Sequence, residues 1–150
     1  MTATRAGSPA LPAHCVTRTP LRVRFFETDL MGIVHHAAYL TYVEAGRVEY
    51  LRARGADYRE LAASGYHMPV VEASLAYRSP AFFDDELVVE TRLSVLTRVT
   101  TRFDYRVLRG DALLATASTL LACVDAARKP RRIPPELARM LSVPELAETS

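Results

Sequence analysis

The chain of 150 residues has few of the features that mark disulfide-rich, metal-binding or membrane proteins. Cys15 and Cys123 have neither the number nor the spacing of a disulfide framework or a zinc site. The longest stretch without a charged residue, Leu30 to Val43, is shorter than the ~20 apolar residues that a membrane helix needs. No apolar segment flanked by basic residues, as in a signal peptide, lies near Met1. We therefore expect a cytoplasmic protein without a membrane span.

Size and composition indicate one globular domain. A chain that is 49% hydrophobic and 24% charged, at this length, buries roughly 70% of the surface that it exposes when unfolded. The net charge of +2 is too small to suggest nucleic-acid binding. Prolines are absent from 21–68 and 81–129, and no linker divides the chain. We predict a flexible N-terminal tail over 1–19, one domain over 20–143 and a C-terminal tail over 144–150.

Helical periodicity predicts a long helix over 38–54. Its apolar residues recur on one stripe: Tyr39, Val43, Gly46 and Tyr50. A glycine in mid-helix costs about 1 kcal/mol relative to alanine, so we expect Gly46 to let the helix approach a flat surface closely. Gly55 is a typical helix end, and Asp57 can cap a second, short helix.

Period-two alternation predicts strands in most of the remaining chain. It covers 21–25, 71–77, 87–95 and 103–107, and the apolar run 113–124 indicates a strand that is covered on both faces. One helix against an antiparallel sheet is an α+β architecture. A helix of this length spans ~25 Å, about the width of five strands at ~4.8 Å each. We therefore predict a single hotdog domain, in which an antiparallel five-stranded sheet wraps around one long central helix.

The segment 26–36, between the first strand and the helix, contains most of the candidate chemistry. On continued strand geometry, Glu27 and Asp29 would face the same way. Three apolar neighbours can desolvate Asp29 and make it a stronger base or nucleophile: Met31, Ile33 and Val34. The N–H groups at the start of the helix, near His36, are left unpaired by the helix itself. A carboxylate beside free amides can form an attacking group and an oxyanion site, although Asp29 can also simply cap a turn.

A longer motif contains these residues. The run from Val23 to Arg47, VRFFETDLMGIVHHAAYLTYVEAGR, resembles the signature of the 4-hydroxybenzoyl-CoA thioesterase-like hotdog family. Within that family it is most similar to the bacterial acyl-CoA thioesterase branch associated with the Tol–Pal system. The similarity extends through Ile133, and the string E-T-D-x-x-G-I-V-x-H-x-x-Y is long and specific. The resemblance implies a homodimer or homotetramer with active sites at the subunit interface.

The resemblance also implies individual roles. The catalytic carboxylate matches Asp29, and the backbone N–H that polarises the thioester carbonyl matches that of His36, whose imidazole can assist. Gly32 matches a loop glycine that lets the backbone approach the substrate. The other expected contacts with the acyl group surround these residues: Ile33, Val34, His35 and Tyr39. Tyr39 also lies on the apolar stripe, so core packing is an equal alternative for its ring.

A basic cluster follows the last predicted strand: Arg128, Lys129, Arg131 and Arg132. Coenzyme A carries a 3′-phosphate and a pyrophosphate, which need several cationic donors. In the resembling family such bases reach the nucleotide across a subunit interface. Arg98, at a predicted strand turn, is a second candidate. A solvated strand end is the alternative for the cluster.

Other chemistries have less support in the sequence. It contains no G-x-S-x-G and no H-E-x-x-H, and the adjacent His35 and His36 are poorly placed to share a metal ion. We expect no metal and no cofactor. Glu44 and Arg47, three residues apart on the helix, are expected to pair with each other.

These observations predict an enzyme that hydrolyses the thioester of an acyl- or aryl-CoA, with Asp29 as nucleophile or general base. One alternative is a thioesterase for fatty acyl or polyketide chains that are held by an acyl-carrier protein. In that enzyme the basic cluster would contact an acidic protein. A second alternative is a non-catalytic acyl-binding protein.

Overall fold

The computed structural model describes residues 15–143. Nine elements follow one another along this part of the chain. They are β1 (Val16–Arg22), a 3₁₀ turn (Phe25–Glu27), α1 (Ala38–Arg52), α2 (Tyr58–Ala63), β2 (Val70–Tyr77), β3 (Glu86–Leu96), β4 (Thr100–Arg109), β5 (Ala112–Ala122) and α3 (Pro135–Leu141).

The five strands form one sheet in the order β1-β3-β4-β5-β2, and every neighbouring pair is antiparallel. The predicted five-stranded antiparallel sheet is thus confirmed. β1 and β2 are its two edges, so both present unpaired backbone groups within the described chain.

Helix α1 packs its predicted stripe on the sheet. Tyr39, Val43, Gly46 and Tyr50 are all buried, and the Tyr50 ring meets the Phe103 ring of β4 edge to face at 5.3 Å. A Cβ added at Gly46 would lie 2.5 Å from Thr91 Oγ1 and 2.8 Å from Val89 Cγ1, both on β3. The close approach expected at Gly46 is therefore confirmed.

The N-terminal tail predicted over 1–19 is wrong for residues 16–19, which form the first half of β1. Val16 aligns with Arg92, and Thr19 aligns with Val89 on β3. Thr17 and Thr19 point inward and are buried. Because these inward residues are threonines, the strand shows no alternation of apolar and polar residues, and the sequence pattern did not predict it. Residues 1–14 of that predicted tail and the C-terminal tail predicted over 144–150 lie outside the described residues.

Two short helices accompany α1, and only the first was predicted. Asp57 caps α2 by accepting the Arg59 N–H at 2.7 Å. Helix α3 begins at Pro135 and buries Leu137 and Leu141. Within residues 15–143, no helix has the length and apolar character needed to span a membrane.

Two further expectations about the sheet and helix are corrected. β5 is not covered on both faces, because buried residues such as Leu114 and Leu121 alternate with half-buried ones.

Arg47 does not pair with Glu44. Its guanidinium, buried in the core, donates to the Tyr58 hydroxyl at 3.3 Å and to the Tyr105 hydroxyl at 3.2 Å.

Candidate active site

The segment between β1 and α1 folds into a short hairpin, which we call the Asp29 hairpin (residues 27–35). The His35 N–H donates to the Glu27 carbonyl at 2.8 Å, and the Asp29 N–H donates to the Ile33 carbonyl at 2.9 Å. Thr28 and Val34 form a bridge between the two limbs. β1 ends at Arg22 and a 3₁₀ turn follows it. The expectation that Glu27 and Asp29 face the same way assumed a continuing strand, so it no longer applies.

Asp29 stands at the tip of this hairpin. Its carbonyl accepts the Gly32 N–H at 2.9 Å, and its Oδ1 accepts the Met31 N–H at 2.8 Å. Gly32 has φ +76°, a left-handed conformation that glycine adopts without strain. Within the described chain the second carboxylate oxygen, Oδ2, accepts no hydrogen bond. Asp29 therefore caps its turn with one oxygen and keeps the other available.

The N–H of His36, at the start of α1, is a free backbone donor within the described chain. Its neighbouring N–H groups are occupied: Val34 bonds to Ala81, His35 to Glu27, Ala37 to the His35 ring, and Ala38 to the His35 carbonyl. The His36 N–H, in contrast, has no acceptor among residues 15–143. It lies just before the first helical residue, where the helix dipole favours negative charge.

Asp29 and His36 line the same pocket, which has a volume of about 320 Å³. Its wall is largely apolar and is completed by the segment that follows β2. The lining residues are Asp29, Met31, Ile33, Val34, His36, Tyr39, Tyr77, Arg78, Ser79 and Pro80. The structure thus brings together five of the residues expected at the site: Asp29, Ile33, Val34, His36 and Tyr39.

Tyr39 serves both the core and the pocket wall. It is buried, and its ring meets the rings of Tyr42 at 5.7 Å and Tyr77 at 5.2 Å edge to face. Burial raises the pKa of Tyr39, so its hydroxyl stays protonated at neutral pH. The two alternatives for Tyr39 are therefore compatible.

Tyr77 was missed by the sequence analysis. Its hydroxyl donates to the His36 carbonyl at 2.7 Å and so links the end of β2 to the start of α1. The two residues are 41 positions apart, and no local pattern indicates that they meet.

Glu27 has surroundings unlike those of Asp29. Its side chain is only 4% exposed and pairs with Arg24 at 3.0 Å. Burial alone would raise the pKa of Glu27, but hydrogen bonds from Arg24 and Tyr42 outweigh it and hold the pKa below its ordinary value. Glu27 is therefore ionised and fully engaged, which excludes it as a free base at neutral pH.

Gly32 and His35 lie outside the pocket lining. The His35 ring stacks on that of His36 with 4.2 Å between centroids, and its Nδ1 accepts the Ala37 N–H at 3.0 Å. In this conformation the His35 ring is bonded to the backbone just before α1, because Ala37 precedes the first helical residue. Its expected contact with the acyl group stays a prediction.

The basic cluster lies at the other end of the sheet. The Asp29 pocket adjoins Tyr77, the last residue of β2, whereas the cluster follows Val124, which pairs with His67 just before β2. Eight residues at about 3.3 Å each make β2 roughly 26 Å long. Within one chain the two expected halves of the site are therefore far apart.

The cluster is not uniform. Arg131 donates to the Gly65 carbonyl at 3.2 Å, and its guanidinium lies 4.1 Å from the centroid of the Tyr66 ring. The side chains of Arg128, Lys129 and Arg132 are exposed and make no hydrogen bond within the described chain. Arg98 is also exposed, and its carbonyl accepts the Ile133 N–H at 2.7 Å, which places it beside the cluster.

Neither cysteine has the surroundings of a nucleophile. Cys15 and Cys123 are both buried, and burial raises the pKa of the Cys123 thiol. Among residues 15–143, no three His, Cys, Asp or Glu side chains lie together in a group that could hold a metal ion.

The antiparallel five-stranded sheet with α1 packed on it is a hotdog-type fold, and its pocket contains an aspartate and a backbone amide that precedes a helix. The model of the thioesterase-like superfamily matches residues 23–141. The acyl-CoA thioesterase YbgC of Haemophilus influenzae is 36% identical over 79% of this chain and 88% of its own. The chain therefore belongs to the thioesterase-like superfamily.

Solved structures agree with this assignment. The hypothetical protein TT1821 from Thermus thermophilus is 41% identical, with a TM-score of 0.81 over 87% of this chain and 98% of its own. The DHNA-CoA thioesterase from Staphylococcus aureus is 26% identical, with a TM-score of 0.81 over 85% of this chain and 89% of its own.

Proposed function

We propose that the Asp29 carboxylate and the His36 N–H together hydrolyse the thioester bond of an acyl- or aryl-CoA. The chain is a thioester hydrolase by its family, and the observation that carries the assignment of residues is their shared pocket. One carboxylate oxygen of Asp29 and the N–H of His36 are free, while the groups around them are hydrogen-bonded.

Each group has a defined task in this proposal. The thioester carbonyl oxygen accepts the His36 N–H, which stabilises the negative charge that develops on it. The Asp29 carboxylate either attacks the carbonyl carbon or takes a proton from the attacking water. Attack by Asp29 breaks the carbon–sulfur bond and forms a mixed anhydride between the acyl group and Asp29, which water then hydrolyses to the acid and free Asp29. With Asp29 as general base, water adds to the carbonyl directly and the carbon–sulfur bond breaks afterwards. In both cases the CoA thiolate takes up a proton that the water releases, and water supplies the new oxygen of the acid. The apolar wall around Tyr39 holds the acyl group.

We further propose that the active enzyme is a homodimer, or a tetramer built from such dimers, in which two β2 edges pair. β2 is exposed along almost its whole length and carries the apolar residues Val70, Val71 and Tyr77. Pairing two β2 strands antiparallel about a two-fold axis would place the start of one beside the end of the other. The basic cluster of the second copy would then lie near the Asp29 pocket of the first, where it can bind the nucleotide.

The finer assignments follow from the same proposal. In such a dimer α1 is the central helix around which the sheet curves. The motif within 23–47 supports the acyl-CoA thioesterase branch associated with the Tol–Pal system, and a cytoplasmic location is part of the same proposal. With an acyl-CoA substrate the basic cluster would bind the nucleotide, whereas with an acyl-carrier-protein substrate it would bind an acidic protein. Assays of both substrates with the same acyl groups show which class the enzyme hydrolyses.

Asp29→Asn tests the catalytic assignment. The substitution keeps the shape of the side chain and removes its charge, so neither attack nor base catalysis is possible. General-base loss alone costs about 10²–10⁴ in rate, and we expect kcat to fall at least about a hundredfold with KM little changed. Steady-state kinetics on a panel of acyl-CoAs provides the measurement.

The matched control is Asp111→Asn, which removes an exposed carboxylate on the turn between β4 and β5. It should keep wild-type kcat and KM. A folded Asp29→Asn protein that retains more than about a tenth of the wild-type kcat would overturn the assignment of Asp29.

A further inference from the structure

Among residues 15–143, Glu27 is the one buried acid, and the proposed chemistry does not use it. It is 6% exposed, and burying an ionised carboxylate is unfavourable unless strong hydrogen bonds compensate for the lost hydration. The structure provides four such bonds. Two come from the Arg24 guanidinium at 3.0 and 3.3 Å, one from the Arg24 N–H at 2.7 Å and one from the Tyr42 hydroxyl at 3.0 Å.

These contacts join the two pieces of chain that hold the proposed catalytic groups. Through its own carbonyl, Glu27 accepts the His35 N–H at 2.8 Å and closes the base of the Asp29 hairpin. Through its carboxylate, it accepts the hydroxyl of Tyr42, which is buried in the second turn of α1. One residue therefore connects the hairpin that carries Asp29 to the helix whose start carries the His36 N–H.

We propose that Glu27 is a positioning residue, which together with Tyr42 fixes the Asp29 hairpin relative to the start of α1. The inference rests on the proposed function, because it concerns the relative placement of Asp29 and His36. Misplacing reacting groups by about 1 Å can cost about a hundredfold in rate. Loss of the Glu27–Tyr42 contact should therefore lower kcat while the pocket still binds substrate.

The sharpest test is Tyr42→Phe, which removes only the hydroxyl that Glu27 accepts. Tyr50→Phe is its matched control, since Tyr50 is a buried tyrosine two turns further along α1 whose hydroxyl donates to the Leu141 carbonyl at 2.7 Å. Both variants lose one buried hydroxyl bond of the same helix. We expect Tyr42→Phe to lower kcat about tenfold with KM unchanged, and Tyr50→Phe to keep the wild-type kcat at a similar loss of Tm.

Glu27→Gln tests the acceptor. An amide cannot accept all four bonds, because its NH₂ faces other donors. We expect kcat to fall about tenfold to a hundredfold, and the double variant with Tyr42→Phe to be no worse than Glu27→Gln alone. The acid limb of the pH profile of kcat/KM should be unchanged, since Glu27 itself transfers no proton. Should Glu27→Gln fail to fold, the comparison of Tyr42→Phe with Tyr50→Phe decides.

Three results would overturn the inference. They are a wild-type kcat in Tyr42→Phe, equal losses of kcat in Tyr42→Phe and Tyr50→Phe, or loss of the acid limb in Glu27→Gln. Failure of the proposed function is a separate outcome, because it appears as high residual activity in Asp29→Asn whatever the Tyr42 variants do.

Discussion

The backbone N–H and the imidazole of His36 have different surroundings and could contribute to the reaction separately. The N–H is a free donor at the start of α1 within residues 15–143, whereas the imidazole is exposed and stacks on the ring of His35. A substitution of the side chain leaves the N–H in place. The two contributions can therefore be measured independently.

His36→Ala should affect the reaction much less than Asp29→Asn does. Because the oxyanion contact is made by the main chain, we expect kcat to stay within about tenfold of wild type and KM to change little. The variant is assayed with the acyl-CoA that the wild type prefers. A loss as large as that of Asp29→Asn would instead assign the imidazole an acid–base role.

At the scale of elements, the contact between α1 and β3 sets how closely helix and sheet approach. Gly46 sits at that contact, with Val89 and Thr91 directly opposite it. On helix propensity alone, alanine at this position would stabilise the protein by about 1 kcal/mol. Steric overlap with Val89 and Thr91 predicts instead that alanine destabilises the protein, so the measured change in unfolding free energy shows which effect is larger.

We expect Gly46→Ala to lower the free energy of unfolding by about 1–3 kcal/mol, because the new methyl group would overlap the Thr91 hydroxyl and a Val89 methyl. Urea titration of the variant and the wild type at pH 7 measures the difference. Ala45→Gly, at the adjacent exposed position, gives the propensity effect without the contact. An unfolding free energy higher than that of wild type would show that α1 can shift away from β3.

At the scale of the whole molecule, the distance between the Asp29 pocket and the basic cluster becomes important. They adjoin opposite ends of β2, so roughly 26 Å of strand separates them within one subunit. In the proposed dimer each site takes Asp29 from one subunit and the cluster from the other.

The exposed members of the cluster should govern affinity. Replacing Arg128, Lys129 and Arg132 by alanine should raise KM for acyl-CoA about tenfold with little change in kcat, since nucleotide contacts are similar in the ground and transition states. Added salt should raise the wild-type KM and affect the variant less. Arg131 is kept because its contacts with Gly65 and Tyr66 are structural.

Replacing Arg52, Arg92 and Arg139 by alanine is the control for net charge, because these exposed arginines lie outside the cluster and the variant also loses three positive charges. If this control variant and the cluster variant show the same KM, the cluster has no specific contact with the nucleotide. An unchanged KM for acyl-pantetheine, which lacks the nucleotide, would locate the lost contact on the nucleotide.

Mixed subunits test whether the site is shared. Light scattering should give at least twice the mass of the 16.7 kDa chain. In a mixed dimer of Asp29→Asn and cluster-variant subunits, one site has both an intact Asp29 and an intact partner cluster. We expect such dimers, prepared by co-expression, to recover the wild-type KM. A monomer in solution, or a KM that stays raised, would contradict the shared site.

Much of the site is local in sequence and was predictable for that reason. Asp29 and His36 lie within eight positions of each other, and a turn followed by a helix start brings them to the same pocket through short-range bonds. The period of the apolar residues likewise predicted the start of α1 and the sheet, because spacing along a chain determines which side chains share a face.

The unpredicted features depend on which surfaces meet. Glu27 is buried against α1, where its carboxylate accepts the hydroxyl of Tyr42. Arg47 donates to the hydroxyls of Tyr58 and Tyr105 and does not pair with Glu44. No spacing rule encodes such contacts, since burial and long-range partners arise only when helix and sheet pack.

By itself, therefore, the sequence determined the periodic elements and the order of the segment that carries Asp29 and His36, which depend on interactions between near neighbours. Tertiary structure alone decided that the strand β1 starts at Val16, that Tyr77 reaches His36, and that the basic cluster lies a strand's length from Asp29. These depend on the antiparallel order β1-β3-β4-β5-β2, which joins residues far apart in the chain. The physical reason is that strand pairing and packing free energies depend on all surfaces at once, whereas periodicity depends on one segment at a time.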